Sequence, residues 1–411
     1  MNILSFLKTQ LLLRKSWLPL ANHSRIFQQF VNLSVFCIMK KLVIFFAFLT
    51  SFMIGNTQNS ENYLVVGSYT LAGNPDGIHV YKFNSHTGES TLISSTETSN
   101  ASYFAISPDE KYIYAVNEDA NDKGSIAAFS FDKKTGALIF LNKKPSGNHP
   151  CYVTISNNGK WVIAGNYTGG SLSVFEVKND GSLDGPTTTI QHTGSGKDPQ
   201  RQDRPHVHCT YLSPDNKFLY VPDLGMDKVM VYSFDDKTGK LTAASQPFLQ
   251  SEPGAGPRHF TFHPNGKYAY LVEELAGTIE AFQNINGSMK HLQRISSLPP
   301  DQKGYPGSAD IHVSADGKFL YASNRGDFNN IAIYKINAGN GELTNIGFQS
   351  TLGKAPRNFN FDPSGNFLLV GNQDSDEIVI FDRNKETGSL NDSGKRIKVT
   401  KPVCLKWISM K

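Results

Sequence analysis

Hydrophobic and polar positions alternate in short runs along most of the chain, and the runs repeat at intervals of about fifty residues. One unit has a short apolar segment, a polar turn that often reads Pro-Asp or Pro-Asn-Gly, and then aromatic and aliphatic residues. Asp and Asn favour such turns because their side chains bond to the local backbone, and Gly accepts positive φ. Short runs rich in Val, Ile, Phe and Tyr predict β-strands. The turns begin at Ser107, Ser156, Ser213, His263, Ser314 and Asp362.

A second tight turn follows the third predicted strand of several units. Val229–Phe234 is such a strand, and Asp236-Lys-Thr-Gly239 follows it. Four strands joined by hairpins therefore make one unit, and no unit has the pattern of a long amphipathic helix. A period near fifty built from such units is the signature of a β-propeller, in which each unit is a blade. The same Thr-Gly turn recurs within Ser85–Ser90, Lys133–Leu138 and Asn384–Leu390.

The two ends of the repeat region are complementary. Asn62–Tyr69 matches the second strand of a unit but lacks a first strand, whereas Lys401–Ser409 matches an inner strand and lacks the rest. We therefore expect the C-terminal segment to supply the inner strand of the first blade, which removes two exposed sheet edges. The sequence predicts an all-β, seven-bladed β-propeller. We expect Tyr112, Tyr220, Tyr270 and Tyr321 to pack between blades.

Composition agrees with one large, turn-rich sheet domain at residues 59–411. The chain has 35 Gly, and only 18% of its residues are charged. A net charge of +4 over 411 residues is too weak to favour nucleic-acid binding. We expect a monomer or a weak homo-oligomer.

The N-terminal region has the pattern of a targeting segment. Lys40 and Lys41 precede a short apolar run that ends near Gly55, which is the layout of a secretory signal peptide. The run is too short for a comfortable membrane span, although an uncleaved anchor is the alternative. We expect a signal peptide at residues 39–58, with residues 1–38 an over-long extension of the predicted gene. The protein would then be periplasmic or secreted without a stable membrane span, or cytoplasmic if the segment is not a functional signal.

Cysteine and histidine spacing does not favour a metal site. Cys151, Cys209 and Cys404 would remain after cleavage, an odd number without CxxC spacing, so buried free thiols are expected, although one disulfide stays possible. His206 and His208 could offer two ligands from one strand face, but no third ligand has a matching signature. We expect no metal and no cofactor.

The repeat also predicts where a site could form. In a propeller, inner strands start and second strands end on the same face, so residues at these two positions converge on the mouth of the central channel. Aligning the units on their turns gives both rings. The inner-strand ring is Ser102, Cys151, His208, Arg258, Ala309, Arg357 and Cys404. The second-strand ring is Glu118, Tyr167, Leu224, Glu274, Arg325 and Gln373, with Ser68 or Tyr69.

One sector of these rings carries candidate chemistry. His208, Arg258, Glu274 and Arg325 lie on three successive blades and are the predicted catalytic residues. Arginine forks bind carboxylate or phosphate oxygens, and a Glu or His beside a wet cleft can move a proton. The structural alternative is that Arg258 and Glu274 form only an ion pair and that His208 is a structural histidine. The predicted substrate contacts around them are His206, Arg357, Glu118 and Tyr167.

A run of motifs in the same region resembles the seven-bladed lactonase family. That family includes bacterial propeller-type 6-phosphogluconolactonases and fungal 3-carboxy-cis,cis-muconate lactonizing enzymes. The likeness covers Asn62 to Ser409. Its motifs are Arg201-Gln202, Pro205-His-Val-His208, Asp223-Leu-Gly225, Pro253-Gly-Ala-Gly-Pro-Arg-His259, Phe262-His-Pro264, Glu273-Glu-Leu275 and Ser323-Asn-Arg-Gly326.

The resemblance implies chemistry on a lactone ring that bears an acidic group. In the muconate enzymes a His, a Glu and two Arg are implicated; the matching residues are Glu274, Arg258, Arg325 and either His206 or His208, with the repeat alignment favouring His208. A lactone hydrolase, most simply 6-phosphogluconolactonase-like, is the first hypothesis. A non-catalytic propeller that binds a sugar acid or a protein, and a muconate-lactonizing isomerase, are the alternatives. Since sugar phosphates are scarce outside the cytoplasm, an exported member would act on an unphosphorylated aldonolactone.

Overall fold

The computed structural model describes residues 61–121 and 123–410, which form seven antiparallel four-stranded sheets. They belong to a compact unit that spans Asn59–Lys411. The predicted signal peptide and the predicted extension before it lie outside the described residues. Two 3₁₀ turns, Leu224–Met226 and Gln373–Ser375, accompany the strands, and no helix of the described part is long and apolar enough to cross a membrane.

Each sheet is one blade, and the blades follow one another along the chain. Blade 1 contains β1 (Glu61–Ser68), β2 (Asp76–Asn84) and β3 (Ser90–Glu97), and blade 2 contains β4 (Phe104–Ile106), β5 (Tyr112–Asn117), β6 (Ser125–Asp132) and β7 (Ala137–Pro145). Blade 3 contains β8 (Pro150–Ile155), β9 (Trp161–Asn166), β10 (Ser171–Val177) and β11 (Leu183–Gln191), and blade 4 contains β12 (Tyr211–Leu212), β13 (Phe218–Asp223), β14 (Lys228–Asp235) and β15 (Lys240–Gln250). Blade 5 contains β16 (Pro257–Phe262), β17 (Tyr268–Glu273), β18 (Thr278–Ile285) and β19 (Ser288–Ser296), and blade 6 contains β20 (Ser308–Val313), β21 (Phe319–Asn324), β22 (Asn330–Ile336) and β23 (Leu343–Ser350). Blade 7 contains β24 (Pro356–Phe361), β25 (Phe367–Asn372), β26 (Glu377–Arg383) and β27 (Leu390–Lys398), and the last strand is β28 (Pro402–Ser409).

The last strand closes the ring as the sequence predicts. β28 pairs antiparallel with β1, with Trp407 opposite Leu64 and Ile408 opposite Tyr63, and so completes blade 1. β28 also packs between β24 of blade 7 and β4 of blade 2. The seven-bladed prediction is confirmed, and the two sheet edges left open in the sequence cover each other.

Buried side chains between neighbouring blades form the core, and a repeated tyrosine adds a hydrogen bond to that packing. The hydroxyl of Tyr270 in blade 5 donates to the carbonyl of Gly341 in blade 6 at 2.9 Å. Tyr112 packs against Gly181 of blade 3, as predicted, but the hydrogen bond in blade 2 comes from Tyr114, so Tyr112 does not share the repeat position of the other three tyrosines. The other bonds of this kind are Tyr114 to Gly181, Tyr220 to Gly287 and Tyr321 to Gly388.

The inner strands start in a distorted way that directs side chains toward the channel mouth. In blade 5 the register shifts between Pro257 and His259, which makes Arg258 the extra residue of a β-bulge. Such bulges re-aim side chains and are common beside functional sites. Blade 7 has the same irregularity at Arg357. The residue directly before the inner strand has a positive φ in five blades, and in blade 2 Asn100, four residues before β4, has one too. The five are His149, Gly256, Gly307, Ala355 and Lys401.

The backbone register tests both predicted rings. In blade 5 the N–H of Glu274 donates to the carbonyl of Gly256, two residues before Arg258. The same bond in blade 1 joins Tyr69 to Lys401. Tyr69 rather than Ser68 is therefore the ring residue of that blade, and Val403 takes the position predicted for Cys404. The other donors and acceptors are Glu118 and Asn100, Tyr167 and His149, Leu224 and His206, Arg325 and Gly307, and Gln373 and Ala355.

Blade 4 departs from the regular pattern where the candidate histidines lie. Its inner strand is reduced to β12, and Val207 makes only an isolated bridge to Asp223. The Asp223 carboxylate accepts the backbone N–H of His206 at 2.7 Å in place of a regular ladder partner. Buried His192 donates to the other Asp223 oxygen at 2.7 Å. A buried side-chain pair therefore holds the irregular segment of His206 and His208.

Candidate active site

Glu274 is the centre of a cluster of three guanidinium groups. Arg258 Nε and Arg325 Nη2 contact its Oε2 atom at 2.8 and 3.1 Å, and Arg201 Nη2 contacts its Oε1 atom at 2.8 Å. Glu274 and Arg258 come from blade 5, Arg325 from the next blade, and Arg201 from the connection between blades 3 and 4. The fold thus brings together three of the four predicted catalytic residues in direct contact.

This arrangement makes Glu274 a carboxylate at any physiological pH. Burial by itself would raise the pKa of Glu274, but Arg325, Arg258 and Arg201 lower it to about 2. Burial and the neighbouring Arg325 lower the pKa of Arg258 to about 10, so Arg258 still carries its charge near neutrality. Three guanidinium charges against one carboxylate leave two positive charges in excess. The cluster is therefore suited to a negatively charged ligand or a developing oxyanion.

The candidate histidines lie beside this cluster, against Tyr167. The Tyr167 ring stacks on His206 with ring centroids 4.5 Å apart and meets the edge of His208 at 5.4 Å. Burial, followed by the charge of Arg258, lowers the pKa of His208 well below its ordinary value. His208 is thus a neutral imidazole near pH 7. The Tyr167 hydroxyl accepts from Arg201 at 3.2 Å, which connects the histidines to Glu274.

A buried histidine–aspartate network lies beneath the cluster. His259 Nδ1 donates to Asp310 at 2.8 Å, and Arg258 Nη1 lies 3.4 Å from His259 Nε2. His312 contacts the other Asp310 oxygen at 2.9 Å. Burial and Arg258 lower the pKa of His259 to about 4, against the opposing effect of Asp310. Sequence reasoning noted His259 only as a neighbour of Arg258 and missed Asp310 and His312, because nothing in their spacing marks a buried partner.

The remaining predicted contacts, Arg357 and Glu118, lie on the same mouth but pair with each other. Arg357 Nη2 lies 3.7 Å from Glu118 Oε2, which also accepts the Tyr69 hydroxyl at 2.8 Å. The Arg357 guanidinium lies over the Tyr69 ring at 5.4 Å. Neither residue touches Glu274 directly, although the charge of Arg357 contributes to the lowered pKa of Arg258 and His208. Arg357 and Glu118 therefore form an ion pair without net charge on another side of the channel mouth.

Other chemical groups of the described chain give no sign of a metal centre. Among residues 61–121 and 123–410, no group of three or more His, Cys, Asp or Glu side chains could hold a metal ion. Cys151, Cys209 and Cys404 are free and buried, as predicted. Burial raises the pKa of the Cys151 thiol well above its ordinary value, so it is a poor nucleophile.

Comparisons with known proteins agree with this fold. The family model described as lactonase, 7-bladed beta-propeller matches residues 63–407. The chain belongs to this lactonase family. It is 42% identical to a 6-phosphogluconolactonase of Formosa agariphila over 80% of this chain and 94% of that protein. It is 37% identical to a 6-phosphogluconolactonase of Bacillus subtilis over 84% of this chain and 97% of that one. The structure of a periplasmic gluconolactonase from Pseudomonas aeruginosa matches with a TM-score of 0.82 and 34% identity, over 86% of this chain and 100% of that chain.

Within this lactonase fold, two site residues come from connections that the repeat alignment does not cover. Arg201 lies in the longest step between successive turns, from Ser156 to Ser213. Tyr305 lies between blades 5 and 6, and its hydroxyl accepts from Arg201 Nη1 at 2.7 Å. The sequence offered one signal for Arg201, its place in the Arg201-Gln202 motif of the family resemblance. Tyr305 had no such signal.

The register also separates the two candidate histidines. The His206 carbonyl accepts from the N–H of Leu224, as the Gly256 carbonyl accepts from Glu274, so His208 has the ring position of Arg258. His206 lies at the rim, where its Nδ1 contacts the Tyr167 carbonyl at 3.1 Å and its Nε2 lies 3.6 Å from Asp203. By backbone position, His208 and not His206 is therefore the residue of blade 4 that corresponds to Arg258 of blade 5.

Proposed function

We propose that the protein is a lactone hydrolase of the 6-phosphogluconolactonase type, which opens a sugar lactone to the aldonic acid at the mouth of the central channel. One observation carries the proposal: a buried carboxylate bound to three guanidinium groups, with a neutral imidazole, His208, beside it. Relatives that are 42% and 37% identical over nearly their whole lengths and bear the name 6-phosphogluconolactonase support it.

Lactone hydrolysis needs a base for water and a positive group at the carbonyl oxygen. Glu274 or His208 accepts a proton from water, and the resulting hydroxide adds to the lactone carbonyl carbon. Arg258 and Arg325 stabilise the negative charge that develops on the former carbonyl oxygen of the lactone. The ring C–O bond then breaks, and the ring oxygen takes up the proton that the base received. His206, Tyr167, Arg357 and Glu118 form the walls that contact the sugar.

Replacing Glu274 tests this assignment against the alternatives. Glu274→Gln keeps the shape but removes the charge and the basicity, and we expect kcat to fall by about 10² to 10⁴. Acid release from δ-gluconolactone and 6-phosphogluconolactone, corrected for the reaction in buffer, gives the rate. Glu342→Gln removes a carboxylate from an exposed turn and serves as the matched control.

The same assay separates the function classes. A wild-type rate no better than buffer on every lactone, with a sugar acid still bound, would favour a non-catalytic binding propeller. Ring closure of a muconate without lactone opening would favour a lactonizing isomerase. Retained activity in Glu274→Gln, with loss on replacing His208 by Asn, would assign His208 alone as the base.

We also propose that the protein is exported from the cytoplasm. The signal-like pattern at residues 39–58 and the similarity to a periplasmic gluconolactonase support this proposal. Fractionation of cells and N-terminal sequencing of the native protein test this. A mature N-terminus before Met39 would contradict both the signal and the proposed start. Light scattering on the purified protein tests the expected monomeric or weakly oligomeric state.

A further inference from the structure

Arg201 differs from the other guanidinium groups at the site in how easily its contacts can be exchanged. Its side chain is 34% exposed, whereas those of Arg325 and Arg258 are 18% and 1% exposed. Arg258 also donates to the Ala309 carbonyl, and Arg325 donates to the Gly307 carbonyl at 2.8 Å. Arg201 contacts Glu274 and two phenol oxygens, those of Tyr167 and Tyr305. An anion can replace neutral phenol acceptors without leaving a buried carbonyl unpaired.

The backbone that carries Arg201 is firmly anchored, so the side chain is the part that can move. Gln202 is fully buried and donates to the Leu224 carbonyl at 2.8 Å and to Asp227 at 2.6 Å. The N–H of Asp198 donates to the Gln202 side chain at 2.9 Å. Gly225 packs so closely that a Cβ atom there would lie 1.8 Å from the Arg204 carbonyl. This loop holds Arg201 at the edge of the site.

The position of Arg201 determines whether the Oε1 atom of Glu274 is occupied by a hydrogen-bond donor. Oε2 is contacted by Arg258 and Arg325, whereas Oε1 accepts a hydrogen bond from Arg201 Nη2 at 2.8 Å. The Tyr305 hydroxyl lies 3.5 Å from the same Oε1 atom, which is the outer limit of a hydrogen bond. While Arg201 stays there, Oε1 is occupied by a donor and is a poor acceptor for a proton from water.

We propose that Arg201 binds an anionic group on the substrate, and that this exchange frees Glu274 Oε1 to act as the base. The inference rests on the proposed lactonase function. The family resemblance already implies a lactone that bears an acidic group, and the new element is that Arg201 binds this phosphate or carboxylate. Water then gives its proton to Oε1, the hydroxide adds to the carbonyl carbon, and the ring C–O bond breaks. The same proton passes to the ring oxygen. The two excess positive charges of the cluster favour such a ligand.

Three lactones distinguish the role of Arg201. 6-Phosphogluconolactone carries a phosphate, glucaro-1,4-lactone carries a carboxylate, and δ-gluconolactone carries neither. We expect the wild-type full chain to prefer at least one of the acidic lactones. In Arg201→Gln, kcat/KM for that lactone should fall about 10- to 100-fold, as expected for losing one charge-assisted bond, whereas kcat/KM for δ-gluconolactone should not fall. The acidic lactone that responds identifies the group as phosphate or carboxylate.

Arg204 offers a matched control on the same loop. Arg204 is exposed and pairs with its neighbour Asp203 at 2.7 Å, so Arg204→Gln should leave all three rates unchanged. A second measurement uses inorganic phosphate as a free anion. Phosphate should accelerate the opening of δ-gluconolactone by the wild type above the enzyme-free reaction, and it should have no such effect in Arg201→Gln. Thermal unfolding shows whether each variant is folded.

The outcomes separate this inference from the function on which it rests. A wild type that opens no lactone overturns both. A wild type that is active, with its preference for acidic lactones unchanged in Arg201→Gln, overturns only the role of Arg201. Equal losses on acidic and neutral lactones would also overturn it, because Arg201 would then only position Glu274.

Discussion

Glu274 and His208 illustrate how environment decides the state of a titratable residue. Three guanidinium groups keep Glu274 ionised although it is buried, whereas burial and the nearby Arg258 keep His208 neutral. Both groups are therefore unprotonated at neutral pH, which is the form that a general base must have before it takes a proton from water. Their shared neighbour is Arg258, whose charge acts on both.

The buried His259 makes stability depend on pH. Its pKa is about 4 in the folded protein against an ordinary value of 6.5, so the unfolded chain binds more protons between these values. His259 should therefore contribute a fall of about 2 kcal/mol in the free energy of unfolding from pH 7 to pH 5. Urea unfolding at both values measures this. The fall should be smaller in His259→Asn, and the same as in wild type in His86→Asn, which replaces an exposed turn histidine. An equal fall in His259→Asn would contradict the prediction.

The sequence predicted some site residues better than others, for a physical reason. Arg258, Glu274 and Arg325 occupy positions that every blade has, so the repeat itself supplies an alignment from which to find them. Arg201 and Tyr305 lie in connections of irregular length, where no other blade offers a counterpart. Their contact with each other depends on how two loops fold across the mouth.

At the scale of elements, the start of each inner strand turns a regular sheet into a site. The bulge after Gly256 makes Arg258 an extra residue of the strand, so it is freed from regular pairing and can be directed toward Glu274. Most blades have a residue with positive φ shortly before the inner strand. The amino acid at this position varies: it is Asn100, Ala355 or Lys401 in three of the blades. The position is therefore set by the architecture and has no fixed sequence signature.

The blade-to-blade tyrosines test how the elements are held together. Tyr270→Phe removes the donor to the buried Gly341 carbonyl, and we expect a loss of about 1 to 3 kcal/mol in the free energy of unfolding. Tyr112→Phe is the control, because the Tyr112 hydroxyl makes no hydrogen bond to the described residues and its ring packs against Gly181 of the next blade. Denaturant unfolding of both variants gives the difference. A loss in Tyr112→Phe as large as in Tyr270→Phe would refute the assignment.

At the scale of the whole molecule, stability depends on closing the ring. Blade 1 is assembled from both ends of the described chain, so β28 covers the edge of β1 and packs against blades 2 and 7. The site depends on the same closure, because Glu118 of blade 2 and Arg357 of blade 7 meet across blade 1, beside Tyr69.

Removing the last strand tests this dependence. A chain that ends at Thr400 lacks β28, and we expect it to lose cooperative thermal unfolding and to aggregate, because β1 is left as an unpaired edge. A chain that ends at Ser409 retains the whole strand and should unfold as the full chain does. Calorimetry and size-exclusion chromatography measure both. Cooperative unfolding of the shorter chain at an unchanged temperature would show that closure is dispensable.

The amino-acid sequence by itself determined the number of blades, the closure by the C-terminal strand and most residues of both rings, because these follow from local patterns that recur seven times. Only the tertiary structure decided which ring residues touch. It joined Glu274 to Arg258 and Arg325, paired Arg357 with Glu118, and brought Arg201 and Tyr305 over the mouth. Such contacts depend on side chains from distant segments meeting in one small, mostly buried space, and no periodicity along the chain encodes that meeting.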